Sequence, residues 1–204
     1  MAQITHGIRA ILSHPSIYRV FQSMMGAHQG RKWFVENFVK SFPGMKVLDI
    51  GCGPADILAY MPGVDYYGFD VDGAYIKHAH KKFGPRGKFH CKQLQITDLE
   101  SLPLFDIVLA LGLLHHLDDS VAADVIRLAT KALKPGGRFL TIDPCFDPLQ
   151  NPIARLLIRG DRGQNIRDKT GYEALASVFF ESPRVEVHHR AWIPYTHCIM
   201  VCQQ

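Results

Sequence analysis

Apolar and polar residues follow one another along this chain in two rhythms. Up to about residue 41 the apolar positions recur every three or four residues. Ile17, Val20, Phe21, Met24 and Met25 share one helical face, and Trp33, Phe34, Phe38 and Val39 share another. The spacing predicts helices there, the second over Arg31–Lys40, with Gly26 and Gly30 bracketing the break. From Met45 the pattern changes to short apolar runs separated by amphipathic stretches. Strands are predicted over 45–50, 64–70, 87–92, 105–111, 137–143, 184–192 and 195–203. Helices are predicted over 55–60, 73–83, 120–133, 151–159 and 171–180. Such alternation implies parallel strands joined by right-handed crossovers. The last two strands are separated only by a turn at Pro194, which forces an antiparallel hairpin. The expected fold is therefore α/β, a mostly parallel seven-stranded sheet with a C-terminal antiparallel hairpin.

Composition narrows the class. The 204 residues suffice for a single domain with a sizeable core. The longest apolar stretch, Phe105–Leu114, has about half the length needed to cross a bilayer, so it reads as a buried strand and its exit, and no membrane span is expected. No secretory signal stands at the N-terminus. Five cysteines without a Cys-x-x-Cys pair suggest reduced thiols and a cytoplasmic protein. The net charge of +4 permits an anionic partner without demanding nucleic acid.

The chemistry concentrates at Met45–Leu58. An apolar strand carrying one acid, Asp49, runs into Gly51-Cys52-Gly53-Pro54 and then a helix start. In an open α/β sheet that junction is where nucleotide-like ligands bind, and Gly51 and Gly53 let the backbone approach one closely. A plain strand-to-helix turn would also use these glycines. Asp49 is costly inside an apolar strand unless it accepts hydrogen bonds from backbone amides or a ligand ammonium. A dinucleotide fingerprint needs a third glycine where Asp56 stands, so a nicotinamide enzyme is disfavoured. Asp70 ends the next strand about 20 residues on, the offset at which a carboxylate meets ribose hydroxyls. Asp72 then reads as the helix cap. Thr97 and Asp98 follow the third strand, where a carboxylate can accept from an exocyclic adenine amine or simply cap a turn.

These residues resemble the class I S-adenosylmethionine-dependent methyltransferases, over roughly residues 45–143. Val47–Pro54 is similar to their first motif. Phe105-Asp106-Ile107-Val108 with Leu114–Asp119 is similar to their fourth-strand motif, and Leu133–Leu140 to their turn into the fifth strand. Ala55 departs from the resemblance, since many members place a glycine there. The resemblance implies a Rossmann-like, doubly wound sheet and S-adenosylmethionine as cofactor. It implies that Gly51, Cys52 and Gly53 line the methionine moiety and that Asp70 holds the ribose. It places Val71 beside the adenine, Thr97 and Asp98 at the adenine edge, and Ala110 and Leu111 beside the sulfonium. It divides a single domain into an N-terminal helical cap (1–41), a cofactor core (45–143) and an acceptor side (144–204).

The acceptor signal is weaker. His115, just past strand four, is the candidate general base, with helix-start packing as its alternative. The Asn/Asp-Pro-Pro-aromatic sequence of nucleic-acid amino-methylating enzymes is absent after strand four, so a small-molecule acceptor is expected rather than nucleic acid. Arg155, Arg162 and Arg167 are candidate grips for an anionic or lipid-like acceptor; a solvated helix face is the alternative. Tyr18 is a candidate lid residue over the cofactor. The pairs His78/His80 and His188/His189 do not share a face, so no metal is expected. The reading against which an enzyme competes is a domain that keeps the pocket as a non-catalytic regulatory partner. The oligomeric state is left open between monomer and homodimer.

Overall fold

A computed structural model of the chain describes residues 27–161, 163–190 and 195–204. The expected helix at 17–25, with Tyr18, lies outside these residues. The described chain opens on α1 (Ala27–Phe34), which passes directly into a π-helical turn, Val35–Val39. Gly30 therefore sits inside a helix rather than at a break. An interior glycine costs about 1 kcal/mol, and burial of Phe34, Val35, Phe38 and Val39 against the sheet outweighs it. Trp33, expected on the apolar face, is 38% exposed. The turn ends at Lys40, whose φ of 54° is left-handed.

Seven strands follow in the order β3-β2-β1-β4-β5-β7-β6. They are β1 (Lys46–Ile50), β2 (Asp65–Asp70), β3 (Gly87–Cys91), β4 (Phe105–Leu111), β5 (Leu133–Pro144), β6 (Arg184–Arg190) and β7 (Tyr195–Gln203). The first five are parallel to one another, and β7 lies antiparallel between β5 and β6. The helices between them are α2 (Gly73–Phe83), α3 (Asp119–Ala132), α4 (Pro152–Arg159) and α5 (Lys169–Ser177). The expected α/β architecture and terminal hairpin are both present. Strand order reverses at β1, with β2 on one side and β4 on the other. That reversal is the crevice where ligands bind in such sheets.

Boundaries moved where local geometry overrode periodicity. The predicted helix at 55–60 is a single 3₁₀ turn, Asp56–Tyr60. β5 begins at Leu133 rather than 137. Its pairing with β4 jumps from Leu133 to Arg138 while the partner advances only from Phe105 to Ile107, so Lys134–Gly137 loop out. A Cβ on Gly137 would lie 2.9 Å from the Lys134 carbonyl oxygen, so only glycine fits this loop. Asp106 fastens the same edge: its carboxylate accepts from the Lys46 N–H at 2.8 Å and from Lys134 Nζ at 2.5 Å.

Two apolar layers sandwich the sheet. One gathers Leu48, Phe105, Val108, Ile126, Phe139, Tyr172 and Met200 beneath α3 and α5. The other gathers Val47, Met61, Ile107, Leu140 and Ile199 beneath α1 and α2. Arg138, where β5 resumes its pairing after the looped-out residues, closes the second layer. Its two terminal nitrogens donate to the carbonyls of Phe38 and Val39, each at 2.7 Å. These carbonyls end the π turn and have no following helical turn to satisfy them. Replacing Arg138 by Met keeps the stem and deletes both bonds. Urea unfolding should show a loss of about 1–3 kcal/mol, with the slope unchanged.

Candidate active site

The parallel register brings the C-terminal ends of β1, β2, β4 and β5 to one edge, and the turn after β1 is stitched to β2. The N–H groups of Gly51 and Cys52 both donate to the Phe69 carbonyl, at 2.8 and 3.0 Å. The next glycine, Gly53, donates to Asp70 Oδ2 at 2.8 Å, and the other Asp70 oxygen accepts from the Asp72 N–H at 2.8 Å. Asp72 caps α2, accepting from Ala74 and Tyr75. Gly51 and Gly53 hold φ of 72° and 53°. A Cβ on Gly51 would meet Leu113 Cδ1 at 2.9 Å, whereas one on Gly53 would meet no atom within 4 Å. Gly51 thus serves packing, and Gly53 faces open space on the crevice side. Ala55 holds a left-handed φ of 55° while fully buried, which explains why glycine is at home there in similar sequences. Asp56 is an anchor: it pairs with Lys82 at 2.6 Å and Arg31 at 3.4 Å.

Asp49 lies beneath the turn, 2% exposed. One oxygen accepts from Tyr66 Oη at 2.6 Å, and the other has no partner. The sequence suggested backbone amides or a ligand as its donors; a tyrosine phenol supplies one bond and leaves the second open. Burial pushes the carboxyl up to about 7, against the Tyr66 hydrogen bond, which lowers it, with the Asp70 charge adding to the rise. A cationic group placed at the unpaired oxygen would return it to the carboxylate. Cys52 is packed rather than reactive: its sulfur fills the space left by Gly68, where a Cβ would lie 2.8 Å away, and burial raises its thiol.

Two aliphatic side chains stand exposed beyond neighbouring strands, Val71 after β2 at 50% and Ile96 after β3 at 46%. Such exposure suits walls for a flat apolar ring. Ile96 was not legible as a site residue, because one isoleucine beside a turn carries no motif. Thr97 is exposed. Asp98 caps the turn Ile96–Glu100 through the Gln95 N–H at 2.9 Å and also pairs with Lys92, which with that bond holds its carboxyl below the usual range. The capping role of Asp98 is thus present. Ala110 and Leu111 end β4, the first fully buried and the second half-buried.

His115 lies in the turn after β4, 5% exposed. Its Nδ1 lies 2.8 Å from Asp143 Oδ1, and its Nε2 lies 3.5 Å from Asp161 Oδ1. Burial alone would lower the imidazole, but hydrogen bonds to Asp143 and Asp161 outweigh it and carry it to about 9. Asp161 is pressed well below the usual carboxylate range by His115, against the burial that would raise it. It also accepts from Tyr195 Oη at 2.7 Å and the Gly163 N–H at 2.8 Å. The expected free base is therefore, at neutral pH, an imidazolium held on both sides by carboxylates. Neither Asp143 nor Asp161 was singled out from sequence, because nothing in their spacing reveals that they converge on residue 115. The loop beyond α4 closes over the ring: the Asn165 N–H donates to the His115 carbonyl at 3.0 Å.

Arg167 is a clamp rather than an acceptor grip. Its guanidinium donates to Asp119, to the carbonyls of Leu114 and Leu117, and to that of Asn165, at 2.7–2.9 Å. With every arm engaged it has no donor left for a ligand. Arg155 is exposed, 5.8 Å from the Phe146 ring centre. Arg162 lies outside the described residues. Among the described residues no group of three or more His, Cys, Asp or Glu side chains is placed to hold a metal.

Residues 48–139 match the family described as methyltransferase domain. The chain is 31% identical over 113 residues to a ubiquinone biosynthesis O-methyltransferase of Idiomarina loihiensis, covering 53% of this chain and 46% of that protein. It is 26% identical over 147 residues to a tRNA U34 carboxymethyltransferase of Pseudoalteromonas translucida, covering 70% and 41%. The fold matches a SAM-dependent methyltransferase from Archaeoglobus fulgidus with a TM-score of 0.70 at 17% identity, covering 92% and 99%. The chain spans about half the length of the curated relatives it matches. Its fold is shared with the S-adenosylmethionine-dependent methyltransferase SibL, at a TM-score of 0.70 and 18% identity, covering 96% and 61%, in line with the fold that the sequence resemblance implied. The plantazolicin methyltransferase BpumL, of the same fold at a TM-score of 0.63 and 14% identity, was solved in complex with SAH. Exclusion of nucleic acid does not follow, given the tRNA-modifying relative. No helix among the described residues is long and apolar enough to cross a membrane.

The His115 cluster gives a pH signature. Its folded value near 9 lies above the ordinary 6.5. The stability it contributes is therefore fully present below pH 6.5 and fades as pH rises through 9. Unfolding free energies of the wild type and His115→Gln from urea titrations should differ by about 2 kcal/mol at pH 6 and converge by pH 10. Gly163→Ala should be at least as damaging, because its Cβ would fall 2.2 Å from His115 Cδ2; circular dichroism melts would show a lowered Tm.

Proposed function

We propose that this chain is an enzyme transferring the S-adenosylmethionine methyl group to a small-molecule acceptor. The observation that carries the reading is the unpaired Asp49 oxygen beneath a glycine turn whose Gly53 faces open space. Asp49 would hold the donor's ammonium and the Gly51–Gly53 backbone its methionine portion. Asp70, already fixed by Gly53 and Asp72, would take the ribose, with Val71 and Ile96 flanking the adenine and Asp98 at its edge. Ala110 and Leu111 would bound the sulfonium side. Residues 45–143 form the donor part in this reading, 144–204 the acceptor side, and 1–41 a cap. The small-molecule acceptor is supported by the ubiquinone biosynthesis relative.

When bound, the donor supplies a sulfonium methyl whose transfer expels a neutral thioether. The chain's task is consequently position and exclusion of water rather than leaving-group protonation. The paired His115 orders the strand-four exit and the loop at 161–168 instead of taking a proton. An acceptor that must ionise would have to do so by its own acidity or in the field of that imidazolium.

Donor binding should depend on pH through Asp49. Below about 7 its carboxyl is protonated, so an ammonium must displace a proton. Calorimetry with S-adenosylhomocysteine should show affinity rising from pH 6 to pH 8. It should also show proton release, seen as a heat that varies with the buffer's ionisation enthalpy. Asp49→Asn should weaken binding by at least about tenfold, or 1.4 kcal/mol, and abolish the buffer dependence. Turnover is a separate matter. Labelled methyl from S-adenosylmethionine should appear in a product when the protein is incubated with a metabolite extract. Donor binding without any labelled product would support the competing reading, a cofactor-binding regulatory protein.

A further inference from the structure

Two turns meet at the C-terminal edge of the sheet, and one side chain joins them. The turn after β1 is stitched on its β2 side, where the Gly51, Cys52 and Gly53 N–H groups find the Phe69 carbonyl and Asp70. On its other side the paired register of β1 with β4 ends at Asp49 and Leu109. Beyond that point Gly51 faces Leu113. The three atoms nearest a Cβ built on Gly51 are Cδ1, Cδ2 and Cγ of that leucine, at 2.9, 3.1 and 3.4 Å. The isopropyl group thus fills the space that a side chain on Gly51 would need. Leu113 itself is half-buried and packs on the first apolar layer.

The turn that carries Leu113 is held from several directions. Gly112, just before it, donates to the Ile142 carbonyl at 2.8 Å, and the Leu113 carbonyl accepts from the His116 N–H at 3.0 Å. The His115 N–H donates to Asp143 Oδ1 at 3.2 Å, beside the ring's own bond to that oxygen. Arg167 gathers the carbonyls of Leu114 and Leu117. His115 is buried and Arg167 has every arm engaged, so what they do for a ligand they do through the residues they hold.

We propose that Leu113 is a positioning residue for the methyl donor: through it the turn held by His115 props the glycine turn from the β4 side and keeps Gly53 and Asp70 in place. The role at the donor rests on the reading proposed above; the prop itself needs no ligand. Dispersion contact fades within a fraction of an ångström, so shortening the side chain at 113 leaves Gly51 unsupported on that side. Ordinary filling of the core is the alternative, and it predicts a different outcome. A filler weakens the whole fold and carries nothing from His115, whereas a prop steadies one turn and relays its own anchoring.

Amide exchange of the full chain without ligand, read residue by residue by nuclear magnetic resonance at mildly acidic pH, tests the prop. In Leu113→Ala the Gly51, Cys52 and Gly53 N–H groups should exchange about tenfold faster through local opening, while those of β6 keep their rates. Leu113→Met, of similar volume, should stay within about twofold of the wild type. His115→Gln should speed the same three amides but add almost nothing in the Leu113→Ala background, the non-additivity expected of groups acting in series. Calorimetry with S-adenosylhomocysteine should show affinity about fivefold lower in Leu113→Ala, where the turn is less preorganised, and restored in Leu113→Met. Should Leu113→Ala not fold, Leu113→Val carries the same comparisons. The proposal is overturned by unchanged exchange at residues 51–53 in Leu113→Ala, by faster exchange at every amide alike, or by a His115→Gln effect undiminished without Leu113. Equal donor affinity in the wild type and Leu113→Ala, despite altered exchange, would overturn the positioning role too. A wild type that binds no S-adenosylhomocysteine would instead refute the donor reading, and the role at the donor with it, while the amides still decide the prop.

Discussion

Everything at the donor edge depends on how the turn after β1 is sewn to β2. Two consecutive N–H groups converge on the Phe69 carbonyl and a third on Asp70. The turn therefore cannot open without breaking the end of the neighbouring strand. That fastening fixes Gly53 over the crevice, orients the Asp70 carboxylate, and roofs the buried Asp49. It also uses backbone groups that the sharp turn would otherwise leave unpaired. The left-handed residues Gly51, Gly53 and Ala55 are the geometric cost of bending the chain back so tightly.

The acceptor edge is organised on a different principle, by charge rather than by backbone. His115, Asp143 and Asp161 come from the exit of β4, the end of β5 and the residues after α4. One buried imidazolium between two carboxylates holds these segments together, and Arg167 repeats the device one layer out by gathering the Leu114 and Leu117 carbonyls with Asp119. Breaking any one partner strands another in a dry place, so these groups act as a unit. In the proposed reading the two edges thus answer to different variables: the first to ligand charge at Asp49, the second to proton activity at His115.

Much of the geometry around the turn after β1 was readable in the sequence because it is local. Asp49, the two glycines and Asp72 act on residues near them in the chain or at a fixed offset along the adjoining strand. The seven strands and the closing hairpin were equally legible, since each is a short apolar run with turn residues beside it. The acceptor edge was not. Arg167 looked like a ligand grip because a charge run shows which groups are present, not which carbonyls they satisfy. His115 looked like a base because its two acids lie 28 and 46 residues away and reach it only through the fold. The start of β5 was misplaced for a similar reason: a looped-out Lys134–Gly137 looks like a plain turn until the pairing partner is known.

The arginine that closes the first helix has a consequence for how the chain is made. Arg138 lies 100 residues after the carbonyl it caps, and the layer holding Phe34 and Phe38 also contains Ile199. On a ribosome, α1 emerges well before Arg138 and Ile199, which complete its cover. At about 5–20 residues per second, its last partners arrive on the order of ten seconds after it. A helix made early is thus locked late, which makes it a natural place for a chaperone to hold the nascent chain.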